Sequence, residues 1–216
     1  MTPPLDSRDV TLVVDRYELG PVGTNCYVVR AERGAADAVV VDPGGDVASL
    51  RLELARNGAR CAAIFVTHRD ADHVGGVAEL AEGTGAPVYA PPRDRMPEER
   101  ASGWLPVRPY DVDTELSGGE TLDVAGISFE VVAIPGHAPD HVAFHAEDAL
   151  FSGDLIFAGS VGRYDLAGGD WPTLLESARA LADRYSPETT IYPGHGPPTT
   201  LGAELERNPY LAELRA

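Results

Sequence analysis

Apolar side chains recur along this chain in short runs, most of them closed by a glycine- or proline-bearing turn. Val10 to Tyr17, Asn25 to Arg30 and Ala38 to Val41 predict strands, separated by turns at Gly20, Gly23 and Gly34. Val47 to Arg56 carries apolar side chains at 47, 50, 54 and 55, the spacing of an amphipathic helix, and Asn57-Gly58 ends it. Cys61 to Val66 is apolar throughout; it reads as a buried strand, although periodicity alone does not separate that from a buried helix. After Gly75-Gly76, Val77 and Leu80 begin a helical apolar face.

Between Pro87 and Asp113 the pattern loosens into a charged, proline-broken segment. Such a segment is either a lid or a surface loop, and Trp104 within it either closes over a substrate or packs back on the core. A second β-rich half follows. Gly126 to Ala133 alternates and then turns fully apolar, the pattern of a strand running into the interior; Val142 to His145 and Ala149 to Ser152 are shorter strands. Asp170-Trp171-Pro172 opens a helix to about Tyr185, with Pro187 beyond its end. Thr189 to Tyr192 predicts a last strand and residues 202–213 a short last helix.

Length and charge narrow the picture. The 216 residues suffice for one large domain or two small ones, and because the polar motifs below converge on one site, a single domain over 1–216 is expected. With 17 basic and 34 acidic residues the net charge is −17, and no basic stripe is present, so a nucleic-acid partner is not expected. No run approaches the roughly 20 apolar residues that span a membrane, and the first residues lack a secretory pattern, which makes a cytoplasmic, non-membrane protein the expectation. Cys26 and Cys61 lie in strand-like segments and are expected to be reduced and buried.

The chemistry concentrates where the apolar run Cys61 to Val66 stops. Thr67-His68-Arg69-Asp70-Ala71-Asp72-His73 packs two histidines and two aspartates into six residues. Downstream, Pro135-Gly136-His137 and Pro193-Gly194-His195 each present a histidine after an apolar segment, and Ser152-Gly153-Asp154 presents a carboxylate in the same way. These imidazoles and carboxylates outnumber what one four-coordinate structural zinc requires and suit two adjacent metal ions.

In this order the motifs resemble the metallo-β-lactamase-fold hydrolase superfamily, and more closely its small glyoxalase II-type (hydroxyacylglutathione hydrolase-like) branch. Val41-Asp42-Pro43-Gly44, Gly162-Arg163-Tyr164-Asp165-Leu166 and Asn208-Pro209-Tyr210 add to the match, which runs from about residue 20 to the C-terminus. The resemblance implies an α/β fold, a four-layer αββα sandwich. It implies a first divalent metal ion on His68, the second-histidine position and His137, a second on Asp72, His73 and His195, and Asp154 between them. The second histidine of the motif is Asp70 here, a harder donor that favours iron or manganese over zinc if it reaches the ion; if it does not, only one of the two positions is filled. Asp42 and His141 are implied as supports behind the ligands. Arg163 and Tyr164 are implied substrate contacts, with a salt bridge from Arg163 to one of the many acids as the competing reading.

The function this implies is hydrolysis of a thioester or related ester of a small acyl substrate by a metal-bound hydroxide, with Asp72 orienting the nucleophile. The chain stops before the helical domain that completes glutathione recognition in glyoxalase II, so specific glutathione recognition is not expected: either the carrier thiol differs or the substrate is another acyl compound. Two alternatives stay open: a mononuclear iron oxygenase of the persulfide dioxygenase type, and a degenerate metal-binding protein without activity. Oligomeric state is not legible in the sequence.

Overall fold

The structure, a computed structural model, describes residues 12–97, 100 and 105–215. Trp104 lies outside the described residues. The first sheet runs in the order β1 (Val13–Leu19), β2 (Thr24–Arg30), β3 (Asp37–Val41), β4 (Arg60–Phe65), β5 (Val88–Ala90), β6 (Thr114–Glu115). β1 to β3 are antiparallel and β3 to β6 parallel. Parallel neighbours need crossovers, which α1 (Val47–Arg56) supplies between β3 and β4, and α2 (Ala71–Val74) with α3 (Val77–Thr84) between β4 and β5.

The second sheet is built from β7 (Thr121–Val124), β8 (Ile127–Ala133), β9 (Val142–Ala146), β10 (Ala149–Gly153), β13 (Thr190–Pro193) and β14 (Thr199–Thr200), in the order β14-β13-β10-β9-β8-β7. A small ribbon, β11 (Ile156–Phe157) with β12 (Ser160–Val161), follows β10, and α4 (Trp171–Arg184) crosses back to β13.

Strand alternation sorts the apolar residues into three layers of core. On β2, Cys26 and Val28 point outward to Leu50 and Leu54 of α1 and Val77 and Leu80 of α3, while Tyr27 and Val29 point inward between the sheets. Both faces are covered, which is why these strands read as continuous apolar runs instead of alternating ones. On β4 an extra residue interrupts the register, Ala38 pairing with Cys61 and Val39 with Ala63, so Cys61 and Ile64 share the outer face and Ala63 and Phe65 the inner one. Phe65 centres the inter-sheet core, its ring 5.2 Å from Tyr89, 5.1 Å from Phe129 and 4.7 Å from Phe144. The outer face of the second sheet, with Ala143, Leu150 and Ile191, is covered by Leu174, Ala178 and Leu181 of α4. Helix, sheet, sheet, helix is the four-layer αββα sandwich.

Several elements differ from the sequence pattern. Of the first expected strand, Val10 and Thr11 lie outside the described residues; β1 runs on to Leu19, and the loose segment holds β5 and a 3₁₀ turn at Arg93–Arg95. The last helix is two pieces: α5 (Leu201–Arg207) ends at Asn208, whose backbone is extended because Pro209 follows, and a 3₁₀ stretch covers Pro209–Arg215. Cys26 and Cys61 are both free and buried. No helix among the described residues is long and apolar enough to cross a membrane.

Candidate metal centre

The loops that follow β3, β4, β8, β10 and β13 meet at one edge of the sandwich, the carboxyl ends of these strands. β3 delivers Asp42, β4 delivers Thr67 and His68, β8 leads to His137, β10 to Asp154 and β13 to His195. Asp72 and His73 sit on the single turn of α2. His68, His73, His137 and Asp154 are buried, and His195 is 30% exposed, so the site opens on its side.

The donor atoms form three groups, each within 4.8 Å: His68, Asp70 and His137; His68, His73 and Asp154; Asp72, His73 and His195. His195 Nε2 lies 3.3 Å from Asp72 Oδ2 and 3.5 Å from Asp154 Oδ2; His73 Nε2 lies 3.3 Å from Asp154 Oδ1 and 3.6 Å from Asp72 Oδ2. His137 Nε2 to Asp154 Oδ2 is 3.7 Å and His68 Nε2 to Asp70 Oδ2 is 3.6 Å. These separations exceed ordinary hydrogen bonds and match the roughly 3.4 Å between neighbouring ligands of a tetrahedral ion with bonds near 2.1 Å. His68 Nε2, His73 Nε2 and Asp154 Oδ1 are buried without a hydrogen-bond partner among the described residues. Orphaned buried donors aimed at one another fit a metal ion.

Hydrogen bonds behind the rings fix which nitrogen faces the cluster. Asp42 accepts the Thr67 backbone N–H at 2.8 Å, the Thr67 hydroxyl at 2.7 Å and His73 Nδ1 at 3.0 Å. With its hydroxyl hydrogen committed to Asp42, Thr67 accepts from His68 Nδ1 at 3.0 Å. The Arg163 carbonyl accepts from His137 Nδ1 at 2.6 Å. In all three rings Nε2 is therefore the nitrogen turned to the cluster, the one a metal ion would take. Asp42 does this from a left-handed backbone, φ 51°, which aspartate tolerates.

Carboxylates and imidazoles at the site hold each other charged. Burial alone would lower the pKa of His195, yet Asp154 and Asp72 push it up to about 9. His73 is raised as well: burial opposes the charge, and Asp154 and Asp42 overcome it. Burial works against the Asp154 carboxylate, but His73 and His195 hold it well below the usual range. A cation is favourable here. Glycines keep the space open: a Cβ on Gly194 would fall 2.0 Å from Asp154 Oδ1, and one on Gly44 would fall 1.8 Å from the Asp72 carbonyl.

His68, Asp70, Asp72, His73, His137, Asp154 and His195 converge. Asp42 contacts His73 as described. His141 is buried with its ring 4.6 Å from His68, and burial together with His68 and His137 keeps it neutral. The Arg163 guanidinium does not face the cluster; it pairs with Asp165 through two contacts of 2.9 Å on the surface, and only its carbonyl meets a site residue. Tyr164 is 39% exposed with its ring 5.0 Å from Trp171.

Four participants were not singled out. Thr24 donates to Asp72 Oδ2 at 2.8 Å. Asn25 Nδ2 donates to the carbonyls of Pro193 at 2.8 Å and Gly196 at 2.7 Å, pinning the turn that carries His195. Thr67 links Asp42 to His68. Arg100 reaches Asp70 and His137 from the loose segment. Nothing in the local sequence around Thr24, Asn25 or Arg100 marks them, because their partners lie between 30 and 171 residues away.

Comparison with known proteins agrees with this geometry. A family model described as the Metallo-beta-lactamase superfamily matches residues 19–195. The hydroxyacylglutathione hydrolase GloC of Haemophilus influenzae is 31% identical over 201 residues, covering 87% of this chain and 92% of that protein. The crystal structure of BLEG-1 B3 metallo-beta-lactamase has a TM-score of 0.81 at 34% identity, covering 93% of this chain and all of the other. TTHA1623 in a di-iron-bound form has a TM-score of 0.79 at 40% identity, covering 92% of this chain and 100% of that one. With its sandwich, its strand-end cluster and these relatives, the chain belongs to the metallo-beta-lactamase superfamily.

Proposed function

We propose that this protein is a metal-dependent hydrolase that cleaves a thioester or a related ester of a small acyl compound. The observation that carries the reading is the donor set: imidazoles and carboxylates alone, their Nε2 and carboxylate atoms turned to one another at ligand-to-ligand spacing, with His195 part-exposed at one side. A bound divalent metal supplies acidification of a water and polarisation of the acyl carbonyl. The relative named hydroxyacylglutathione hydrolase supports the substrate class, and the relative solved in a di-iron-bound form supports iron as one metal to test beside zinc and manganese.

The chain's own residues do the positioning. Asp72, held by Thr24, presents a carboxylate oxygen at the rim and accepts a hydrogen from the attacking water, fixing its direction. Asp42 and Thr67 lock the His73 and His68 rings. His137 is fixed through the Arg163 carbonyl. A thiolate leaves without a strong acid, and no separate acid is required of the site for a thioester. Arg163 and Tyr164 stand on the loop after Asp154 as candidate contacts for the carrier, provided Arg163 releases Asp165.

The test is turnover of a panel of acyl thioesters differing in carrier thiol, with an oxyester and a β-lactam alongside, before and after chelation. Thioester turnover lost on chelation and restored by added metal is the expected result. Turnover of the β-lactam alone, or none that depends on metal, would overturn the reading.

A further inference from the structure

We propose that the Arg100 guanidinium takes the place of the first metal ion, so that this protein holds a single ion, on Asp72, His73, His195 and Asp154. The inference rests on reading the cluster as a metal centre.

Arg100 Nε donates to Asp70 Oδ1 at 2.5 Å, Nη2 to Asp70 Oδ2 at 2.6 Å and to His137 Nε2 at 2.6 Å, and Nη1 to the His137 carbonyl at 2.7 Å. Four of the five guanidinium hydrogens are thereby committed, and the side chain is 4% exposed. Nη2 stands over both Asp70 Oδ2 and His137 Nε2, which are 3.2 Å apart; a metal ion on the same two donors needs the same space. His137 Nε2 has one lone pair, since Nδ1 gives its hydrogen to the Arg163 carbonyl, and Arg100 points a hydrogen at it. The guanidinium is a cation, so a divalent ion here would meet a positive charge competing for one carboxylate.

Two further observations point the same way. Asp70 is the N-cap residue of α2, where aspartate ordinarily accepts from the helix's first amides, yet it makes no cap hydrogen bond and turns both oxygens to Arg100 instead. A carboxylate matches the arginine fork through two parallel hydrogen bonds, which an imidazole at this position does not offer. The aspartate that departs from the resembled motif and the arginine 30 residues downstream are therefore a matched pair. Among the described residues Arg100 makes no hydrogen bond or ion pair with Asp72, His73, His195 or Asp154, so the group Asp72, His73 and His195, with Asp154 beside it, remains for one ion.

Zinc stoichiometry tests this directly. Wild type and Arg100→Met, both stripped by a chelator and dialysed against the same free zinc, are compared by elemental analysis, with a thermal melt to show that each is folded. One zinc per chain in wild type and two in the variant is expected. Two in wild type, or one in both, overturns the proposal. None in either protein overturns the metal-centre reading itself, and the proposal with it. If Arg100→Met does not fold, Arg100→Gln, which keeps a polar donor beside Asp70 without the fixed charge, takes its place; a second zinc is then expected, and a stoichiometry still at one overturns the proposal.

Discussion

His73 Nδ1 donates to Asp42 Oδ2 at 3.0 Å, and the two oxygens of Asp42 also receive the Thr67 amide and hydroxyl. One buried carboxylate thus sets the ring orientation of His73 directly and that of His68 through Thr67. Replacing Asp42 by asparagine keeps the shape and the left-handed backbone, which asparagine also tolerates, but presents an amide to a site made only of donors. We expect Asp42→Asn to lower metal affinity by about 10- to 100-fold. Competition with a chromophoric chelator measures it; an affinity within twofold of wild type would show that Asp42 does not orient the ligands.

Thr24 offers a narrower test, of positioning without ligation. Its hydroxyl hydrogen bond to Asp72 is the contact that holds the carboxylate oxygen at the rim. Thr24→Val keeps the volume and deletes that bond. Hydrogen bonds to charged groups contribute about 1.5–3 kcal/mol, so kcat/KM on the best thioester should fall roughly 10- to 100-fold with metal content unchanged. Loss of metal in parallel with activity would mean that Thr24 holds the ligand instead of aligning the reaction.

The contrast between the histidine turns and Thr24, Asn25 and Arg100 explains how far the sequence could be read. His68, His137, Asp154 and His195 announce themselves because each follows the end of an apolar strand, with Asp72 and His73 close behind His68 on α2, and strand ends on one side of a sheet converge wherever the chain goes next. Strands buried on both faces were legible by short apolar runs, such as residues 26–29 within Thr24–Arg30. β5, only Val88–Ala90, and β7, Thr121–Val124, were not singled out, since three or four residues carry little periodicity and their pairing depends on neighbours far along the chain. The Arg100–Asp70 contact was illegible for a different reason: an arginine in a charged, proline-broken segment looks solvated until the fold brings it to an aspartate.

At Gly194 the main chain passes close against the cluster. A Cβ there would meet Asp154 Oδ1 at 2.0 Å and His73 Cε1 at 2.6 Å, so Gly194→Ala displaces two proposed ligands at once. Gly196, two residues on, has an unfavourable φ of +76° for alanine but nothing within 4 Å of its added Cβ. We expect Gly194→Ala to lose most bound metal, at a stability cost of about 1–3 kcal/mol for overpacking. Gly196→Ala should lose stability through backbone strain while retaining metal. Metal content measured against thermal stability separates the two; equal metal retention in both would remove the steric argument.

A last prediction concerns pH and lies away from the metal cluster. His145, on β9, pairs across the sheet with Glu130 of β8, and its ring stacks on Tyr185, centroids 4.1 Å apart. Tyr185 donates to Glu130 Oε2 at 2.7 Å, and Arg184 pairs with Glu130 while lying over the Tyr185 ring. Glu147 and Asp148 favour a charged His145, but burial outweighs them and holds its pKa below the usual 6.5. The folded protein therefore binds this proton less readily than the unfolded chain does. Its contribution to stability is complete above about pH 6.5 and is lost as pH falls through the folded value. Compared between about pH 7.5 and about pH 5.5, wild type should lose more melting temperature than His145→Gln, which carries no titrating ring. An equal or larger acid loss in the variant would show that the stacked histidine is not held neutral by the fold.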